Sequence, residues 1–133
     1  MSVRTIFRVE DRNGEGPWQC RFTAKIVNDH AGSNPGWYSD KLLDSETTIA
    51  EAIYSRGAAS SYVDWRAGFS SLSELRFWFN TEEIRALRNE GMRVVRLRVQ
   101  EYNIIQARSQ VAYLRDTELG RRQVSWDTVL EAK

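Results

Sequence analysis

Arg93, Arg96 and Arg98 alternate with valine and leucine along Met92-Arg93-Val94-Val95-Arg96-Leu97-Arg98-Val99, and Arg108 follows. Arginine presents a planar fork of donors that meets a carboxylate or a phosphate in a bidentate way. The chain carries sixteen arginines against three lysines. Residues 85 to 122 hold nine arginines against four acids, Glu90, Glu101, Asp116 and Glu118, whereas the first 84 residues hold nine basic and twelve acidic groups. The basic half is therefore either a solvated surface whose arginine stems cover apolar area or a patch for an acidic partner. On the second reading Arg93, Arg96, Arg98 and Arg108 are the binding residues, with Trp78 as an aromatic anchor. The same four arginines carry the alternative of nucleic-acid binding, against which the net charge of +1 argues.

Other chemistries find fewer of the residues they need. His30 is the only histidine and Cys20 the only cysteine. That argues against a transition-metal site, a Ser-His-acid triad and an internal disulfide, and no metal is expected. Gly14-Glu15-Gly16-Pro17 lacks the lysine and the following helix of a phosphate-cradling loop, and its proline removes an amide, so it reads as a turn. Glu82-Glu83 is explained by the positive end of a helix dipole. Glu10-Asp11 lies where the first strand meets a turn, a place that suits acid-base groups and turn entry equally. No complete catalytic set emerges.

The elements that must position these residues follow from local signals. Thr5 to Val9 alternates as a strand, with Ile6 and Arg8 on one face and Phe7 and Val9 on the other. Asp11 to Pro17 is turn chemistry. Trp18 to Val27 reads as a second strand and Asn28 to Asp44 as a long loop. A helix is predicted from Ser45 to Ser55, with Ile49, Ala52 and Ile53 inward and Gly57 as its stop. Ser71 and Glu74 spell a capping box before Leu72, Leu75 and Phe79 at helical spacing. Asn80-Thr81 restarts the chain with Thr81 as cap, and Gly91 ends that second helix. Met92 to Val99 is the clearest strand, with Val95, Leu97 and Val99 on the core face and Arg96 and Arg98 opposite. Ser109 to Arg115 repeats the alternation through Val111 and Tyr113. Gly120 to Gln123 reads as a turn, and Ser125 as the cap of a terminal helix carrying Trp126, Val129 and Leu130. Of the aromatic stripe Phe69, Phe77, Trp78 and Phe79, Phe79 belongs to the core and Trp78 lies between core and surface.

A chain of 133 residues fits one domain, residues 1–133. With 41% hydrophobic and 11% aromatic residues it can bury a core. The expected fold is α+β: a small, mainly antiparallel twisted sheet with two or three helices packed on it. No apolar run reaches membrane-spanning length and no charged-then-apolar leader opens the chain, so a soluble protein of a reducing cytoplasm is expected.

Two resemblances add to this reading. Ile6-Phe7-Arg8-Val9-Glu10 followed by Gly14-x-Gly16-Pro17-Trp18, the block Gly68-Phe69-Ser70-Ser71-Leu72 with Leu75 and Trp78-Phe79, and the later Gln110-Val111-x-Tyr113 resemble a group of small phage and prophage proteins. This resemblance implies a viral or mobile-element origin. Together with the arginine-rich strand face, the surplus of aromatics and the lack of a complete catalytic set, it leads to the expectation of an accessory protein of the host-cell cytoplasm that binds and inhibits or redirects a host or defence protein. The order of an aromatic-Arg first strand, a Phe-Ser-Ser turn into a helix and an alternating strand is similar to ADP-ribosyltransferase-like domains. That likeness implies NAD as cofactor, held by Arg8 and by Ser70 or Ser71, with Gln110 where such enzymes place a glutamate. Glu101 is the nearest acid and ends a different strand. Without the NAD reading no cofactor is expected.

Overall fold

The computed structural model describes residues 2–17, 40–56 and 65–132. The expected second strand at Trp18 to Val27, most of the loop from Asn28, both His30 and Cys20, and the stop at Gly57 lie outside the described residues. Among the described residues, six strands and four α-helices build an α+β arrangement of two small antiparallel sheets.

The first sheet has β1 (Val3–Glu10), β3 (Arg93–Gln100) and β6 (Glu118–Val124), with β3 in the centre. Its register sets Ile6 beside Leu97 and Phe7 beside Arg96. The second sheet runs β2 (Trp65–Gly68), β5 (Val111–Leu114), β4 (Ile104–Gln106). The sequence reading contains neither β2 nor β4: four- and three-residue strands are too short to show a period. The expected turn at Gly120 to Gln123 is instead the body of β6. Gly120 pairs with Arg98 next to a shift of register between Arg98 and Val99. As an edge strand exposed along most of its length, β6 carries polar residues that imitate a turn.

The sheets meet where β1 passes the end of β2. Phe7 and Phe69 exchange both backbone hydrogen bonds, N to O at 2.8 and 2.7 Å. A Cβ on Gly68 would lie 2.4 Å from Ile6 Cγ2 and 3.0 Å from the Phe7 carbonyl oxygen. The glycine is therefore required by this close approach.

Three apolar layers result. Ile6, Val95, Leu97, Val99, Ile104, Val111 and Tyr113 fill the space between the sheets. Helix α1 (Ile49–Ser55) covers the outer face of the second sheet through Ile49, Ala52 and Ile53, against Trp65, Ile105 and Ala112. Helices α2 (Leu72–Trp78), α3 (Thr81–Asn89) and α4 (Trp126–Glu131) cover part of the outer face of the first sheet, around Phe79, Leu87, Val94 and Val129. At 25 cal/mol per Å² or so, such burial is the main stabilising term.

Helix starts match the expected residue types with shifts of position. Thr48, not Ser45, caps α1 in a full capping box with Glu51, while Ser45 Oγ accepts from the Thr47 amide in the preceding turn. Ser71 caps α2, but Glu74 accepts from the Ser70 amide at 3.0 Å rather than from Ser71. Asn80, not Thr81, caps α3 and exchanges bonds with Glu83. Asparagine accepts an amide hydrogen bond as well as threonine does, and here it stands one residue earlier, where the chain is still extended. Gly91, at φ 86°, stops α3, and Ser125 caps α4.

Candidate functional site

The alternation of β3 places its two faces in different surroundings. Val95, Leu97 and Val99 point between the sheets, together with Arg93 at the strand start. Arg96 and Arg98 point to the other face and are exposed beyond the helices. Arg96 has Phe7 on one side and Arg122 on the other; Arg98 has Thr5 and Gly120. No acid lies directly opposite either. None of the side chains of Arg96, Arg98 and Arg122 makes an ion pair or hydrogen bond with a described residue. Arg122 was hidden from sequence reasoning because it lies in the stretch that resembles a turn.

The four arginines singled out in the sequence do not form one patch. Arg93 turns inward and lies 3.9 Å from Glu10. Arg108, at the β4–β5 connection, donates to the Ser45 carbonyl at 3.1 Å and faces Glu46 at 3.9 Å. Trp78 is 5% exposed, packs on Phe69 with ring centroids 5.8 Å apart, and donates its indole N–H to the Ser109 carbonyl at 2.9 Å. It lies in the core and presents no surface to a partner. Phe77, next to it, is the exposed aromatic.

Between the sheets lies a second concentration of charge. Glu10, at the end of β1, is 1% exposed and has three arginines around it. Arg8 Nε donates to Glu10 Oε2 at 3.3 Å, Arg93 approaches Oε1, and Arg121 of β6 bonds both oxygens. Arg121 also binds Glu118, which accepts from the Tyr113 hydroxyl at 3.0 Å. Burial opposes the charge on Arg121, but the hydrogen bond and attraction of Glu10, with Glu118 behind it, outweigh burial and raise its pKa. Burial raises the pKa of the Tyr113 phenol far above its ordinary value; the charge of Arg8 works against this and that of Glu118 with it. Glu10 and Asp11 are therefore not a carboxylate pair. Asp11 instead accepts from the Asn13 and Glu15 amides and shapes the turn.

The residues assigned to NAD are not gathered around one opening. Arg8 is 5% exposed, and its guanidinium is bonded to Glu10, to the Ala67 carbonyl at 2.7 Å and to the Gly14 carbonyl at 3.0 Å. Ser70 bonds Arg4 at 2.8 Å and Gln106 at 3.0 Å. Arg4 is four residues from Arg8, about 13 Å along an extended strand. Ser71 is occupied as a helix cap, and Gln110 is buried at the β4–β5 connection. Glu101 pairs with Arg4 at 3.5 Å. Among the described residues, no group of three or more His, Cys, Asp or Glu could hold a metal ion. No helix of the described residues is long and apolar enough to cross a membrane.

Fold and site together define a small two-sheet α+β protein with an arginine face on one side of its first sheet and a buried charge network on the other. Residues 1–127 match the family model described as Bacteriophage T4 Y00F protein, and the chain belongs to this phage protein family. No curated protein and no solved structure matches the chain.

Proposed function

We propose that this phage accessory protein binds an acidic surface of a host or defence protein, in the host-cell cytoplasm, and so inhibits or redirects it. The observation that carries the reading is Arg96 opposite Arg122, with Arg98 beside them, on an exposed sheet face that offers no acid partner among the described residues. Like charges opposite one another weaken a sheet. Packing does not call for them, since the buried side chains of β3 lie elsewhere. A partner's carboxylates would relieve the repulsion and take up the guanidinium forks. Val3, 37% exposed on the same face of β1, adds apolar area, and interface centres combine arginine with such surface.

A protein partner is favoured over nucleic acid because the net charge is only +1 and the ring beside Arg96, that of Phe7, is partly buried against the helices and not free for a base to stack on. The reading as an NAD-dependent ADP-ribosyltransferase has weaker support, since the Arg8 guanidinium is already committed to Glu10 and two carbonyls.

The test compares wild type with the double variant Arg96→Glu, Arg98→Glu in affinity capture from host lysate. A specific protein should be retained by the wild type, released by salt, and lost from the variant without a fall in melting temperature. Retention by the variant would remove this face from the function. Capture that disappears with nuclease treatment would replace the protein partner by nucleic acid.

A further inference from the structure

The buried charge network opens to solvent through a cavity of about 330 Å³ between the β1 turn and the β5–β6 connection. Its inner wall is Arg8, Glu10, Arg121, Glu118 and the Tyr113 hydroxyl. These groups satisfy one another, so the wall is rigid and its acids are already neutralised. The mouth differs. Arg12 and Arg115 line it, are exposed, and have side chains that make no ion pair or hydrogen bond with a described residue. Arg66 lines it beside Tyr113 on the second sheet and has only a 3.8 Å approach from Glu15. The backbone of the Asn13-Gly14 turn forms the remaining side, with Gly14 at φ 83°.

We infer that this cavity binds a small multiply charged oxyanion of the phosphate-ester class, seated between Arg12 and Arg115 with Arg66 beneath. Two guanidinium groups that no described residue partners, both lining one polar cavity, match the oxygens of a phosphate, which takes paired N–H donors from an arginine fork. The supporting wall is held by buried hydrogen bonds, which preorganises the site. The size lies at the lower end of small-molecule sites. It fits a phosphate with a small appendage better than a dinucleotide. The lining also contains one acid that is paired with no described residue, the exposed Asp116, and its charge opposes the ligand. The site faces between the sheets, away from Arg96 and Arg122, so it is independent of the partner face.

The test is calorimetric titration at low ionic strength with inorganic phosphate, pyrophosphate and a nucleoside monophosphate, with citrate as a polycarboxylate control. Saturable binding of a phosphate probe, stronger than that of citrate and weakened by salt, is expected. The double variant Arg12→Ala, Arg115→Ala should bind at least about tenfold more weakly with an unchanged melting temperature. Asp116→Asn should bind more tightly, and Arg96→Glu with Arg98→Glu should bind as the wild type does. No binding of any phosphate probe, equal affinity in the Arg12–Arg115 double variant, or preference for citrate would each overturn the assignment.

Discussion

Arg96 of β3 stands directly opposite Arg122 of β6 on the exposed face of the first sheet, and neither finds an acid among the described residues. The pairing of β3 with β6 thus puts like charges side by side. The arrangement costs stability in the free protein and is open to relief from outside.

The consequence is measurable without a partner. Arg96→Glu converts the like-charge pair into an opposite-charge pair and should raise stability by about 0.2–1 kcal/mol, less at high salt. A urea midpoint that moves upward supports this. A drop of more than about 1 kcal/mol would show that Arg96 holds the fold together.

Glu10 should be among the most sensitive side chains. It is 1% exposed between Arg8, Arg93 and Arg121, so Glu10→Ala leaves buried positive charge uncompensated. The expected loss is about 3–5 kcal/mol. Glu118→Ala should cost clearly less, because its side chain is 22% exposed and Arg121 keeps Glu10. Denaturation of the two variants side by side checks the order; equal losses would contradict it.

Gly68→Ala introduces a methyl group 2.4 Å from Ile6 Cγ2 and should cost about 1–3 kcal/mol through overpacking. Combining it with Ile6→Ala should give less than the sum of the two single losses, because the smaller side chain makes room. Additive losses would place the strain elsewhere, at the Phe7 carbonyl.

Tyr113 should resist ionisation. Its folded pKa is raised by burial, so the folded state keeps its proton at pH values where an unfolded chain, with a phenol pKa of about 10, has lost it. The contribution to stability is therefore fully present below about pH 10 and declines as pH rises further. In an alkaline titration followed by phenolate absorbance, Tyr113→Phe should remove a late component that coincides with unfolding. Ionisation of Tyr113 at about pH 10 in the still-folded protein would contradict this.

The sequence by itself determined the features that depend on neighbours a few positions apart. Ser71 before Leu72 and Leu75, Gly91 after α3, and the alternation of Val95, Leu97 and Val99 are local patterns, and each occupies its expected place. Cap positions were legible to within a residue or so for α2 and α3, since Asn80 and Thr81 can both accept an amide hydrogen bond and only the backbone angle at Asn80 decides between them. Tertiary structure decided the rest. β2 and β4 are strands because β5 lies between them, and β6 is a strand because β3 pairs with it, despite a sequence rich in turn residues. Arg121 meets Glu10 across 111 positions, and Arg122 meets Arg96, through a register that no local period contains. Both arginines come from one strand and point to opposite faces, one into the charge network and one to solvent. That division follows from the two-residue period of a strand, but only once the pairing partner of the strand is known.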